Sequence, residues 1–379
     1  MNNQGVTKMK TKKRIIVGMS GGVDSSVTAA LLQAEGHEVI GLFMRNWDSL
    51  LNNDLAGNNI HDICPQEQDY LDALAVCKKL NIKLARVDFI KEYWDDVFTY
   101  FLSEFKKSRT PNPDILCNKY IKFDAFLKYA QKNLQADYIA MGHYARINYN
   151  PITKQYQLLK GIDQNKDQSY FLCQLTQNQL KYSLFPLGDK TKTEVRALAK
   201  KYNLPTATKK DSTGICFIGN RNFQTFLTNY LPTNPGKIID INTKIIIGNH
   251  NGVYYYTLGQ RKGINLSGMK VPYFVVDKDV TNNILYVAND NENKWLMNSD
   301  CTVKSLNWIN NVNLKNDVPC FAKFRYRQTD VAVNISVIND DEIKVKFSEK
   351  IRAITPGQTA VFYDGDICLG GGVIDKIFR

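Results

Sequence analysis

The sequence predicts an α/β domain built on a parallel sheet, then a small linking domain, then a C-terminal β-barrel. Three observations predict it. Apolar strands alternate with amphipathic helical segments from Arg14 to about Tyr144; beyond about Phe217 the pattern changes to short strands rich in valine, isoleucine and tyrosine; and 379 residues exceed the usual size of one compact domain. The expected divisions are residues 1–217, 218–282 and 283–379.

In order, the pattern predicts a strand at Ile15 to Val17, a helix from Ser25 to Ala34 and a strand from Glu38 to Phe43. A helix near Gln66 to Leu80, a strand at Ile82 to Val87, helices near Glu92 to Phe105 and Cys117 to Asn133, and a strand at Tyr138 to Met141 continue it. Strand-helix-strand order of this kind gives a parallel sheet covered on both faces, with ligands at the carboxyl ends of the strands. Next comes a helix from Thr193 to Tyr202, closed by Asn203 and Pro205, with an exposed polar loop TATKKDSTG after it. A helical stretch from Phe223 to Leu231 precedes expected strands at Val253 to Thr257, Tyr273 to Val276, Ile284 to Val287, Cys320 to Tyr326, Val331 to Val337, Ile343 to Phe347 and Thr359 to Phe362.

Composition narrows the function classes. Lysine and arginine number 49 against 37 acidic residues, a formal charge of +12. That excess favours polyanionic partners, although a lysine-rich surface serving only solubility has the same composition. Eight cysteines without a CxxC pair fit a reducing cytosol rather than a disulfide scaffold, and four histidines without paired spacing assemble no zinc site. The basic opening MNNQGVTKMKTKKR lacks the apolar core of a secretory signal, and no run of about 18 apolar residues marks a membrane span.

Immediately after the first strand comes GMSGGVDSS, and a helix follows. Gly21 and Gly22 let backbone amides approach an anion, Ser20 and Ser25 offer hydroxyls, and the helix presents its positive end. The loop lacks the lysine of a Walker A motif and is not GxGxxG.

Two cysteines stand in reactive settings. PNPDILCNKYIKF places Cys117 near a helix start, where the dipole favours thiolate; Pro111 and Pro113 stiffen the approach, and Asp114 is near enough to cap the helix or exchange a proton. DSTGICFIGNR places Cys216 downstream of Lys209 and Lys210, which also favour thiolate. Cys64, Cys77, Cys173, Cys301, Cys320 and Cys368 read as packing residues.

SGGVDSS resembles the pyrophosphate loop of the ATP-pyrophosphatase (PP-loop) family. Together with GLFMRNW, TPNPDILCNKYIKF, MGHYAR, KDQSYFL, STGICFIG, TLGQRKG, FRYRQTD and TPGQTAVFY, all in order, it makes nearly the whole chain resemble the tRNA-specific 2-thiouridylases. The resemblance implies a first domain of the adenine nucleotide alpha hydrolase-like (PP-loop) type. It further implies an ATP-dependent sulfurtransferase acting on C2 of the wobble uridine in tRNA(Lys), tRNA(Glu) and tRNA(Gln). By the same resemblance Gly18, Met19, Ser20, Gly21, Gly22, Val23, Asp24 and Ser25 hold the phosphates of ATP, Asp24 helps hold Mg2+, and Met44 and Gly142 line the adenine and ribose region. Cys216 would carry a persulfide delivered by a cysteine desulfurase or sulfur-relay protein. Cys117 would break that persulfide and form a disulfide with Cys216, and Asp114 would act as acid or base. Asn112, Pro113 and Asp114 would meet the target base. His143, at a strand end, with Lys166, Asp167, Gln168, Arg325, Tyr326 and Gln358 would contact tRNA, and Arg325 and Arg327 are expected on one face of a strand. The implied enzyme is cytoplasmic and monomeric.

The stretch WDSLLNNDLAGNNIHD, Trp47 to Asp62, matches no function and is expected to be a mobile flap. Two other readings fit part of the sequence: a PP-loop ligase adenylating a small acid, which needs neither Cys117 nor Cys216, and a noncatalytic RNA-binding protein with a decayed nucleotide site.

Overall fold

The computed structural model describes residues 11–54, 65–211, 222–266, 268–289, 294–311 and 317–379. Its first sheet contains β1 (Arg14–Gly18), β2 (Glu38–Arg45), β3 (Lys83–Asp88), β4 (Tyr138–Ala140) and, later in the chain, Ser183–Leu184, in the order β3, β2, β1, β4, Ser183–Leu184. All pairings are parallel. Side chains in β1 alternate between two cores. Ile15 and Val17 face the helices Val23–Ala34, Pro65–Leu80 and Lys192–Lys201, while Ile16 joins Leu42 and Ile139 against the helical segments between Ile90 and Leu134. Burial on both faces explains why these strands read as continuous apolar runs. The run of small residues Ser25 to Ala30 is buried almost throughout and lets its helix lie close to the sheet.

The chain leaves β1 for β2 and β3 on one side and returns to β4 on the other. The strand order therefore reverses at the carboxyl end of β1, where ligands of such sheets bind.

The expected helix near Glu92 to Phe105 runs from Ile90 to Lys106 with a π-helical turn at Trp94–Phe98, and the one expected at Cys117 starts at Pro113 and widens into a π-helix at Cys117–Ala125. Thr191 and Glu194 form a reciprocal capping box that starts the helix Lys192–Lys201, and left-handed Asn203 follows its end.

Four findings differ from the sequence expectation. Residues after β4 form a hairpin, β5 (Ala145–Asn150) and β6 (Gln155–Lys160). Val253–Tyr255 is a 3-10 turn rather than a strand, and the strand expected to reach Tyr326 stops at Lys323. Thr206 to Asp211, expected as an exposed loop, is tied in part to the helix Val23–Ala34: Thr206 is buried and donates to Ser26 Oγ at 2.9 Å, while Thr208 and Lys210 are exposed. The remainder of TATKKDSTG lies outside the described residues.

The helix Phe223–Leu227 seats Phe223 and Phe226 on Phe98, Phe101 and Phe105. A four-stranded sheet follows, from Gly236–Asp240, Ile246–His250, Tyr273–Asp279 and Ile284–Asn289. In the last part Met297–Trp308, Val318–Lys323, Val331–Asn339, Glu342–Arg352, Thr359–Asp364 and Ile367–Phe378 form a ring, closed by antiparallel pairing of the first with the last. Closure leaves no free edge within the ring. The hairpin β5–β6 extends this barrel, with Leu158 and Leu159 opposite Cys368 and Ile367. Among the described residues no helix is long and apolar enough to cross a membrane.

Candidate active site

Gly18 to Ser25 cross the carboxyl edge of the sheet. Met19 and Val23 are buried and anchor the loop, while Ser20 and Gly22 between them, and Asp24 just after, are more exposed. Gly21 has φ +70°, and a Cβ there would meet Asp69 O at 2.2 Å, so only glycine fits. Gly142 is constrained by space alone: a Cβ would lie 2.9 Å from the backbone at Asp24 and Ser25, because the turn after β4 is pressed against the loop. Ser25 Oγ donates to Gly22 O at 3.1 Å and accepts from Ser20 N–H at 3.2 Å, so this hydroxyl shapes the loop. No side chain caps the helix that begins at Val23. An uncapped helix start behind a glycine turn fits a phosphate group. Met44, near the carboxyl end of β2 beside β1, lies at the same edge.

Asp24 faces two partners the sequence reading missed. Lys192 Nζ lies 2.8 and 2.9 Å from its two oxygens, and Tyr144 donates its hydroxyl at 2.8 Å. Lys192 also reaches Asp211 at 2.9 Å, and Asp211 in turn binds Lys166 at 2.7 Å and Arg196 at 2.6 Å. Burial pushes the Asp211 carboxyl up, but hydrogen bonds from Lys166 and Lys192 outweigh it and hold it down at about 2. Lys209, expected to act on Cys216, donates to Gly21 O at 3.1 Å and pairs with Asp69 and Asp72 at 2.8 and 2.5 Å. It ties the glycine loop to the helix Pro65–Leu80. Cys216 and Cys64 lie outside the described residues.

Asn112 caps the helix at Pro113 by accepting from the Asp114 amide at 3.2 Å; Asp114 does not cap it. Cys117 is therefore the fifth helical residue, and only 2% of it is exposed. The expectation of a dipole-favoured thiolate is corrected: burial pushes the thiol up to about 11, against the opposing charge of Lys122. Burial likewise raises the Asp114 carboxyl above the usual range, again with Lys122 opposing, so this carboxyl holds a proton more readily than a solvated one. His143 stands three residues beyond β4, its ring between Phe123 and Phe185 at centroid distances of 5.7 and 5.8 Å. Burial, helped by Lys122, lowers it well below the ordinary imidazole value, so it is neutral and offers no charge to a phosphate.

The residues assigned to tRNA by resemblance do not form one exposed patch. Asp167 is buried and accepts from Gly161 N–H, Ser169 N–H and Ser169 Oγ. Gln168 Oε1 accepts from Tyr144 N–H at 3.0 Å, and Tyr326 packs on Phe171 at 4.6 Å. Arg325 and Arg327 lie past the strand end, not on a strand face. The Arg325 guanidinium donates to Ala353 O at 2.5 Å and Thr355 Oγ1 at 3.0 Å. Gln358 donates to Thr110 O at 2.8 Å, from the barrel to the strap before Cys117. The same strap is held by Thr110 N–H donating to Pro356 O at 3.0 Å and by Arg109 donating to Ile374 O at 2.9 Å. The described part of Trp47 to Asp62 is also tied down rather than free, through Trp47 Nε1 to Asp54 at 3.0 Å and Tyr230 to Asn52 O at 2.8 Å; the rest lies outside the described residues.

Family models match in three consecutive parts: a tRNA methyl transferase HUP domain over residues 13–220, a tRNA methyl transferase PRC-barrel domain over 224–289 and an aminomethyltransferase beta-barrel domain over 298–374. The tRNA-specific 2-thiouridylase MnmA of Mycoplasma capricolum is 61% identical over 374 residues, 97% of this chain and 100% of that protein. The proteins of the same name from Mesoplasma florum and Ureaplasma parvum serovar 3 are 57% and 55% identical over 97% of this chain and 100% and 96% of their own. A glycine loop at the carboxyl edge of the sheet, a buried cysteine on a helix and end-to-end similarity agree, and the chain belongs to the tRNA-specific 2-thiouridylase family.

Proposed function

We propose that this chain is an ATP-dependent tRNA-uridine 2-sulfurtransferase that forms 2-thiouridine at position 34 of tRNA(Lys), tRNA(Glu) and tRNA(Gln). The observation that carries the reading is the reversal of strand order at β1. It gives one ligand crevice, edged by a phosphate-shaped loop, the carboxylate of Asp24 and the turn at Gly142. A tRNA oxygen is a poor leaving group; ATP, when bound, converts it to an adenylate, from which AMP leaves. The loop amides and the helix start would hold the phosphates, and Asp24 would take Mg2+.

Sulfur transfer then needs two thiols. The terminal sulfur of a persulfide on Cys216 attacks C2 and displaces AMP. The Cys117 thiolate attacks the Cys216 sulfur, the sulfur–sulfur bond to the uridine breaks, and 2-thiouridine leaves with both electrons of that bond. A Cys117–Cys216 disulfide remains, and an external thiol reductant restores both cysteines. Asp114, with its raised carboxyl, would give or take the proton, and Asn112 and Pro113 would meet the base from the same turn.

In this reading residues 1–217 carry the chemistry, 218–282 link, and 283–379 engage tRNA. The sulfur reaches Cys216 from a cysteine desulfurase or relay protein, and the enzyme works as a cytoplasmic monomer. ATP–pyrophosphate exchange tests it. Exchange that requires tRNA supports the proposal, while exchange that requires a small carboxylic acid supports a ligase instead.

A further inference from the structure

Lys192 sits between two carboxylates that belong to different parts of the chain. Its backbone is fixed: Thr191 and Glu194 cap the helix it opens, and its own amide donates to Asp163 Oδ2 at 2.9 Å. Its ammonium touches both oxygens of Asp24 at 2.8 and 2.9 Å and Asp211 at 2.9 Å, and its side chain is 15% exposed.

The two carboxylates differ in what would remain without Lys192. Asp211 would keep Lys166 and Arg196. Asp24 would keep only the neutral hydroxyl of Tyr144 among the contacts given by the described residues. Lys192 is thus the charge that Asp24 depends on, and it stands where a metal ion on that carboxylate would stand. A monovalent ammonium and a divalent cation cannot share those two oxygens without repulsion.

We propose that Lys192 is a counter-ion switch: it neutralises Asp24 before nucleotide arrives, then yields that carboxylate to the incoming divalent cation and turns its ammonium to the triphosphate beside it. The inference rests on the ATP reading above and adds a residue to it. The cost of releasing Asp24 is small, because Asp211 already holds the ammonium from its other side. The switch also gives the site a reason to bind metal with nucleotide rather than metal alone, since the polyanion offers the displaced ammonium a partner in place of Asp24.

The test uses the full chain with Lys192→Met and two titrations, Mn2+ alone followed by electron paramagnetic resonance and Mg·ATP followed by calorimetry. The two affinities should move in opposite directions. Mn2+ alone binds about tenfold more tightly, because Asp24 is freed, and Mg·ATP binds at least about tenfold more weakly, because the phosphates lose a cation. Lys192→Arg keeps the charge and should restore most of the Mg·ATP affinity, and Lys192→Gln serves for the titrations if the methionine variant does not fold. A merely structural lysine would weaken both affinities together and an idle one would change neither; either pattern overturns the switch. Wild-type protein that binds no Mg·ATP would instead overturn the nucleotide reading, and the switch with it.

Discussion

Arg109 donates to Asp375 Oδ1 at 2.8 Å, joining the strap before Cys117 to the final strand of the barrel. The same guanidinium binds Glu104 at 2.6 Å and Ile374 O at 2.9 Å, while Gln358 and Pro356 bond the neighbouring Thr110. The barrel therefore braces this strap. It holds the backbone that leads into Asp114 and Cys117.

Replacing Arg109 with alanine should loosen that strap. Its pairs are mostly shielded, so the expected loss of stability is about 1–3 kcal/mol, between the values for exposed and buried ion pairs. Cys117, now buried, should also be alkylated faster by iodoacetamide, read by mass spectrometry. An unchanged alkylation rate would show that the strap is held without the barrel.

Asp24→Ala should leave the fold intact, because the loop is shaped by Gly21, Gly142 and Lys209 rather than by this carboxylate. ATP-dependent activation of tRNA should vanish with the metal's ligand. Pyrophosphate release at the wild-type rate would reject the role given to Asp24.

Burial holds the Cys117 thiol up at about 11. At neutral pH nearly all of it is protonated, so its alkylation rate should climb about tenfold per pH unit from pH 7 to 9 without levelling. A plateau below pH 8 would mean that the thiolate is favoured after all. Any rise in reactivity on binding tRNA would then report how far substrate relieves the burial.

An excess of basic residues predicts tRNA binding that weakens steeply with salt. Arg325 should contribute little to that slope, because its guanidinium is spent on Ala353 O and Thr355. Filter binding across salt concentrations checks both points: a flat response removes the charge argument, and a reduced slope in Arg325→Ala returns that residue to the RNA surface.

Some of this architecture was legible in the sequence and some was not, for physical reasons. Ile15 to Val17 followed by GMSGGVDSS announces a buried parallel strand and an anion loop, because both signals are local. The hairpin β5–β6 left no such mark. Its partner strand lies some two hundred residues later, and its own alternation is broken by polar residues. GVYYYTLG has the tyrosines of a strand, yet Tyr255 donates its hydroxyl to Leu231 O at 2.6 Å, and packing overrides propensity. The helix from Thr193 to Tyr202 was readable from its periodicity and its closing Asn203 and Pro205, whereas the meeting of Lys192 with Asp24, 168 positions away, exists only in the folded chain. Cys117 was readable as a special cysteine but misjudged in charge, since a helix boundary four residues early turns a dipole-exposed thiol into a buried one.

The two cysteines separate sulfur transfer from every rival. Cys216→Ser should still bind ATP and tRNA but carry no persulfide. Cys117→Ser should accept sulfur on Cys216 and release no thiolated product. Wild-type protein after one turnover without reductant should yield a peptide pair joined through Cys117 and Cys216. Normal thiolation by either serine variant would contradict the mechanism while leaving the family assignment untouched.

The most direct test of the central claim is nucleoside mass analysis of tRNA(Lys), tRNA(Glu) and tRNA(Gln) from cells lacking this protein. The account predicts loss of 2-thiouridine at position 34 in all three, restored by the wild-type chain and not by Asp24→Ala. Full retention of 2-thiouridine at that position would contradict it.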